Sequence, residues 1–450
     1  MSATDDDRPN ILLITNDQQH HRLMSCAGDT YVKTPNLDRL AASGARFDLA
    51  YSPNPVCVPC RYSMMTGRMP HVFGGLEDNW KRDRSRRPKM RDHIDTRPMG
   101  WMMRDAGYET AVGGKLHVEG GYSFTKEDEP TYGFACLTSD IRDDLADECA
   151  RFLRRPHEQP FLLWASFESP HDICGFLTRD GALREQDEPL DVPLPDNHGP
   201  TRDECEWMRG FRDGSLGEES RIELGLNRRY GRLAAAWDER TWRRYRGAYR
   251  SFMETADRQI GVVLDALYDA GLAERTVVIF TSDHGDHDGA HRLTMKRSFY
   301  EESAHVPLIV SAPGRVAPGV VDERHLVNVG PDLIPTLCDY AGVEAPASLP
   351  GRSVRALAEG RGEYDWREYV VSETVGGRMV RTARYKYMVY CLDRAEEQLF
   401  DMEADPGEME NLAPRSEKRD VLAAHRSTLR GWVDKHGDEK GRAYLDALQA

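Results

Sequence analysis

The sequence predicts an α/β fold: a large, mostly parallel sheet sandwiched by helices, with a smaller antiparallel sheet plus helix at the C-terminal end. Three observations lead there. Short, continuous apolar runs recur up to about residue 311, and such runs mark strands buried on both faces of a parallel sheet. Stretches of helical character separate them, and strands alternating with helices imply a sheet covered on both sides. After Pro350-Gly351 the pattern changes to short segments with turns between them, as in an antiparallel sheet.

Asn10-Ile-Leu-Leu-Ile-Thr15 reads as the first strand, ended by the polar Asn16, Asp17, Gln18 and Gln19. Thr34 as N-cap, Pro35 at the first helical position and Gly44 at the end frame a helix that turns Leu37, Leu40 and Ala41 inward. Further strands are expected at Thr110–Gly113, Phe161–Phe167, Thr276–Thr281 and Val306–Ser311, and helices at Thr241–Gly271 and Asp332–Gly342. Glu368–Glu373, Arg378–Arg384, Tyr385–Tyr390 and Gln398–Asp401 read as the strands of the small sheet, and Ser416–Lys435 as its closing helix. The expected division is a main α/β domain over residues 1–360 and a C-terminal α+β subdomain over residues 361–450. The polar stretch Asp172–Arg240 gives no readable pattern.

At 450 residues with 40% hydrophobic content, the chain can bury a large core. Acidic side chains outnumber basic ones 75 to 60, a formal charge of −15. A sequence-independent grip on nucleic acid or anionic lipid is therefore not expected, and any anion site must be local. No apolar run reaches the ~18 residues that span a bilayer. Met1–Asn10 is acidic and lacks the basic-then-apolar pattern of a secretory signal. Nine scattered cysteines suit a reducing compartment, so the expected location is the cytoplasm.

In open α/β sheets, ligands collect beyond the carboxyl ends of the strands. Asp17 and Gln18, Lys115 and His117, His171, and Asp283 and His284 all fall there. The pairs Asp17-Gln18 and Asp283-His284 supply oxygen and imidazole donors that suit a divalent cation, with an oxygen on a modified Cys57 completing the shell. Cys57-Val-Pro-Cys-Arg-Tyr-Ser-Met-Met-Thr-Gly67 has the pattern C-x-P-x-R followed by Thr-Gly. Pro59 fits the first turn of a helix, which places Cys57 just before an N-terminus that favours negative charge, with Arg61 one turn in and able to face the same anion. Cys57 and Cys60 could also form a redox pair or half a zinc site. No second C-x-x-C follows, and neither chemistry uses the arginine and Thr-Gly. An unmodified structural cysteine is the plain alternative.

The Cys57–Gly67 motif, together with Pro9–Gln18, Thr34–Leu40, Gly114-Lys-Leu-His117, Ser169-Pro-His171, Thr281–Gly285 and Lys296 with Ser298–Glu302, resembles the sulfatase family of the alkaline-phosphatase superfamily. The likeness runs from about residue 8 to 315 and returns at Leu399–Glu408 with Asn411-Leu412. The resemblance implies that a formylglycine-generating enzyme oxidises Cys57 to formylglycine. One hydroxyl of the hydrated aldehyde attacks, and the other later expels the bound group. It also implies that Asp17, Gln18, Cys57, Asp283 and His284 hold one divalent cation, calcium first and manganese as the alternative. Arg61 and His117 would orient and deprotonate the aldehyde hydrate. Lys115, His171 and Lys296 would contact the sulfate oxygens, and His171 or Lys296 would protonate the departing alcohol. The implied reaction is metal-dependent hydrolysis of a sulfate ester carried by a small molecule or saccharide.

Many members of the family have a second Asp where this chain has Gln18, and Asn where it has His284. An Asp-Gln and Asp-His set also occurs in phosphonate monoester and phosphodiester hydrolases, which makes that activity the alternative. A third reading is a binding protein that keeps the fold without receiving the modification. Among lesser signals, Lys81–Arg91 carries seven basic residues in eleven; it reads as a solvated loop, or as a recruiter of sulfated polymer. His20, His21, His287 and His291 read as structural or as lining a pocket. Trp207, Trp237 and Trp242 read as packing or as platforms for a sugar ring.

Overall fold

The computed structural model describes residues 8–74, 90, 95, 97–119, 121–178, 191–216, 224–361, 365–391 and 394–448. The expected α/β architecture is present. From one edge, the large sheet runs Val320–Asp322, Ala45–Phe47, Leu308–Ser311, Thr276–Ser282, Asn10–Asp17, Phe161–Pro170, Glu109–Val118 and Gly121–Ser123, with Ala135–Thr138 also paired to Glu109–Val118. The central strands are parallel; Leu308–Ser311 runs antiparallel to both of its neighbours.

Asn10–Asp17 and Thr276–Ser282 are buried along their whole length, which is why they read as continuous apolar runs and do not alternate. Successive residues feed opposite layers. Ile11 and Leu13 pack with Tyr62 and Met65 of the helix Cys57–Thr66, Met103 of Met99–Asp105 and Leu337 of Leu333–Ala341. Leu12 and Ile14 pack with Leu37 and Leu40 of Pro35–Ala42, Leu153 of Leu145–Arg154, and the long helix Glu239–Asp269. That helix begins with Asp238, whose side chain accepts from the Thr241 backbone N–H at 2.8 Å. It buries Tyr245, Tyr249, Met253, Ala256, Ile260, Val263 and Leu267 at three- and four-residue spacing.

The strands Tyr369–Thr374, Gly377–Thr382, Tyr385–Cys391 and Ala395–Asp401 form the antiparallel C-terminal sheet. Val371, Val380, Tyr387 and Leu399 pack on Leu422, Leu429 and Trp432 of the helix Arg419–His436 and on Tyr444 of Glu439–Ala447. Val370, Met379, Met388 and Phe400 pack instead on Trp207, Phe299 and Tyr300. Each such fully buried aliphatic side chain contributes about 1.5–3 kcal/mol relative to exposure.

Several boundaries differ from expectation. The strand expected to end at Gly113 continues to Val118, so Lys115 and His117 lie on the strand itself, where Lys115 pairs with Ser123 of the short antiparallel neighbour. The helix Pro35–Ala42 ends before Gly44, which is glycine for another reason: a Cβ there would lie 2.4 Å from the Val310 carbonyl oxygen of an adjacent strand. Thr34 precedes the helix without capping it, its hydroxyl instead accepting from the Ser25 backbone N–H at 2.9 Å. The unreadable stretch holds the helices Glu206–Asp213 and Leu224–Ala235. Lys81–Arg91 lies outside the described residues, apart from Met90. No described helix is long and apolar enough to cross a membrane.

Gly114 ties the fold to the residues beside it. It sits at φ 93° against the neighbouring strand, where a Cβ would lie 2.1 Å from the Ser166 carbonyl oxygen. Gly114→Ala must therefore push Glu109–Val118 away from Phe161–Pro170. The expected loss is about 1–3 kcal/mol from backbone strain alone, read as a lowered melting temperature, together with a fall in turnover as Lys115 moves.

Candidate active site

The helix Cys57–Thr66 begins at Cys57 itself and points its N-terminus at the carboxyl ends of the central strands. Asp17 ends one strand and Asp283 directly follows the adjacent one. Arg61, one turn into the helix, lies beneath both. Its Nη2 is 3.0 Å from Asp17 Oδ2 and its Nε 2.8 Å from Asp283 Oδ2, with all three side chains fully buried. Nη1 donates to the Lys115 carbonyl at 2.7 Å and to Ser166 Oγ at 2.9 Å. The guanidinium is thus spent on the carboxylates and the strand, and does not open toward an incoming anion.

Above it, the Cys57 thiol is the hub. Lys296 Nζ is 3.1 Å from Sγ, His284 Nε2 3.2 Å and Asp17 Oδ1 3.7 Å. His117 and His171 also lie close enough to the thiol to interact with it: His117 helps to lower the thiol pKa, and the thiol acts to raise that of His171. Burial pushes the thiol pKa up, but Lys296, Lys115 and His284 outweigh burial and hold it well below the usual range. Cys60, on the same helix, is buried toward the core and pushed well above that range by burial and by Asp283. The two cysteines are free thiols in opposite environments, which suits neither a redox pair nor a shared zinc.

The two carboxylates differ as well. Burial and Cys57 act to raise Asp17, yet Lys115 at 2.8 Å, His171 and Arg61 keep it well below the ordinary range. Burial raises Asp283; Arg61 offsets only part of this because Asp17 adds a like charge. His171 is held down at about 4 by burial, then by Lys115 and Lys296, so its ring is neutral near pH 7.

One donor atom each from Asp17, Cys57, Asp283 and His284 lies within 4.8 Å of the others. Separations of 3.2 Å between His284 Nε2 and Cys57 Sγ, 3.6 Å to Asp283 Oδ1 and 3.9 Å to Asp17 Oδ1 match donors arranged around a cation bound at about 2.0–2.6 Å. The donor set, two carboxylates and an imidazole beside the Gln18 amide, fits calcium or manganese. Gln18 lies next to the cluster, with Oε1 accepting from Lys296 Nζ at 2.8 Å.

The structure therefore brings Asp17, Gln18, Cys57, Lys115, His117, His171, Asp283, His284 and Lys296 to one centre, with Arg61 under its floor. Sequence reasoning missed several residues that hold them. Tyr122 Oη accepts from Lys115 Nζ at 2.7 Å and donates to Glu168 at 2.5 Å, 3.3 Å from His171 Nδ1. Ser166, Asp286 and Tyr245 likewise act behind the first rank. Among the other candidates, His287 bonds Ser298 Oγ, His291 stacks on Tyr300, Trp207 stacks on Tyr390, and Trp242 packs against Trp237. These contacts are structural.

Comparison with known proteins agrees with this geometry. The sulfatase family model matches residues 9–343, and the model for the C-terminal region of N-sulphoglucosamine sulphohydrolase matches residues 289–434. The chain is 31% identical over 462 residues to a Delta 4,5-hexuronate-2-O-sulfatase of Bacteroides thetaiotaomicron, covering 99% of this chain and 93% of the relative. Among solved structures, a 2-O GAG sulfatase superposes with a TM-score of 0.82 at 29% identity, over 96% of this chain and 93% of that one. A phosphonate monoester hydrolase of Agrobacterium radiobacter superposes with a TM-score of 0.73 over 95% of this chain and 96% of that one; at 22% identity the likeness is one of fold.

Arg61→Met should test the floor of the site. It leaves two buried carboxylates without their shared cation, for which a loss of about 3–5 kcal/mol is expected. Thermal unfolding with chelator should show the full loss, and excess calcium should recover part of it.

Proposed function

Because this chain belongs to the sulfatase family and is a sulfuric ester hydrolase, we propose that its nucleophile is a formylglycine made from Cys57 by a formylglycine-generating enzyme, and that its substrate is a sulfated saccharide. The observation that carries the first part is the surroundings of Cys57 Sγ, which stands where the hydroxyls of a hydrated aldehyde would be. Lys296, His284 and Asp17 lie 3.1, 3.2 and 3.7 Å away. The second part draws on the relatives, which act on a hexuronate 2-O-sulfate and on a GAG 2-O-sulfate.

Asp17, Gln18, Asp283 and His284, with the modified residue 57, would hold a divalent cation, calcium first and manganese second. That cation would supply Lewis acidity at the nucleophile. The chain's own groups do the rest. Lys115 and Lys296 carry fixed positive charge to the oxygens of the transferring group, where charge spreads in the transition state. Arg61 keeps Asp17 and Asp283 together and ionised. His117 and His171, both at the nucleophile, are placed to accept and return protons, with His117 serving release of the bound sulfate; the departing alcohol takes its proton from Lys296, or from His171 once that neutral ring has accepted one from the nucleophile.

Hydrolysis of a phosphonate monoester or phosphodiester remains the second reading, because Gln18 leaves the centre with two carboxylates and a net charge that also suits a singly charged phosphorus ester. Side-by-side turnover of an aryl sulfate and an aryl phosphonate by fully matured enzyme decides between them. The expected result is a higher kcat/KM for the sulfate, and the reverse order would promote the phosphorus ester.

Peptide mass spectrometry of protein produced beside a maturing enzyme should find the aldehyde at residue 57 and a thiol at residue 60. Cys57→Ala should abolish turnover, whereas Cys60→Ala should cost stability only; a fully active protein carrying only the Cys57 thiol would end the proposal. Chelation should remove activity and added calcium or manganese restore it. Full activity in protein shown to be metal-free by elemental analysis would refute the cation.

A further inference from the structure

Gln18 is held at both ends of its amide. Nε2 donates to Asp286 Oδ2 at 2.7 Å, while Oε1 accepts from Lys296 Nζ at 2.8 Å. Asp286 is fully buried and, among the described residues, has no ion-pair partner. Its carboxylate is satisfied by neutral donors: the Tyr245 hydroxyl at 2.9 and 2.8 Å, the Asp288 backbone N–H at 2.8 Å, and Gln18. A buried carboxylate so placed accepts only.

This makes the Gln18 amide one-way. Turned over, it would set its carbonyl against the Asp286 carboxylate and its NH2 against the Lys296 ammonium, two repulsive contacts in a dry site. A glutamate at position 18, the same length as glutamine, would set a carboxylate oxygen against Asp286 at the place where Nε2 now donates, with no cation on that side to compensate.

We propose that Asp286 is a positioning residue that locks the Gln18 carbonyl toward Lys296 and the cation centre, and that positions 18 and 286 act as a matched amide and carboxylate pair. Tyr245, on the long helix Glu239–Asp269, anchors the pair to the layer behind the sheet. The orientation of Gln18 matters to the cation only if the centre binds one as read above, so the proposal rests on that reading for its effect on metal affinity. Its effect on stability stands without it.

The test is a double-mutant cycle of Gln18→Glu, Asp286→Asn and the two combined in the full-length protein, read by thermal unfolding in chelator and by calorimetric titration with calcium. Gln18→Glu keeps the length of the side chain and should melt several degrees below wild type in chelator. Asp286→Asn should weaken calcium binding by about 10–100-fold, the usual effect of removing a group that orients a ligand. The double variant should recover most of the melting temperature lost by Gln18→Glu, because the amide introduced at position 286 can donate to the carboxylate introduced at position 18. Stability losses that simply add across the cycle would overturn the pairing, as would a Gln18→Glu protein that melts like wild type. Should Gln18→Glu fail to fold, soluble double variant would still support the pair, and a double variant that also fails would count against it. If wild type binds neither calcium nor manganese, the reading of the cation centre fails, while the melts in chelator still decide the pair.

Discussion

The site depends on one arrangement: Arg61 lying fully buried between Asp17 and Asp283. Adjacent parallel strands end side by side, so the carboxylates they deliver are near neighbours in a medium that screens poorly. Left alone, at least one would take up a proton and cease to be a strong donor for a cation. A guanidinium resolves this because its planar fork reaches two acceptors and still has an N–H for the Lys115 carbonyl and Ser166. Lys cannot span the same set of partners. Arg61 and Cys57 share a helix one turn apart, so the contact that secures the carboxylates also fixes the height of Cys57 above them.

The fixed charges of the site are positive on balance. Arg61, Lys115 and Lys296 set three fixed positive charges against two carboxylates, before any cation is counted. Burial acts against every one of these charges, yet each lysine stays protonated because Asp17 and Cys57 face it. The groups are also immobile. Lys115 is held by Asp17 and Tyr122, and Lys296 by Gln18 and Cys57, and donors fixed in this way need little reorganisation to meet an anion.

What the sequence disclosed and what it hid follow from the same physics. Strands covered on both faces leave long apolar runs, so the central strands and the rim beyond them were legible, and with the rim came Asp17, Gln18, Asp283, His284 and His171. The Cys57 motif was legible because several residue types recur at fixed spacing. Tyr122, Glu168, Ser166 and Asp286 were not, since each acts through hydrogen bonds to residues elsewhere in the sequence, and no local pattern records such partners. Arg61 was found but given a different orientation: its place in the helix was readable, while its partners depended on how two strands lie across it. Gly44 read as the end of a helix and Gly114 as the first residue of a motif, and the physical reason for each appears only when a neighbouring strand passes within van der Waals range.

The C-terminal sheet contributes to this centre without reaching it. Lys386, on its third strand, contacts Glu301 at 2.6 Å, Glu408 at 2.7 Å and the Phe299 carbonyl at 2.8 Å, while the Glu301 backbone N–H donates to Glu408 at 2.7 Å. Phe299 and Tyr300 are buried against Tyr390 and Phe400 of the same sheet. These residues close the segment that begins at Asp283 and carries Lys296. That segment has left-handed backbone at Asp288, His291, Arg292, Met295 and Arg297, a conformation that persists only when its surroundings over-determine it. The buried ion cluster and aromatic stack provide that determination at the far end, as Asp286 and Tyr245 do at the near end. Lys296 is therefore aimed at Cys57 by a strained loop clamped on both sides, and the C-terminal sheet is one of the clamps.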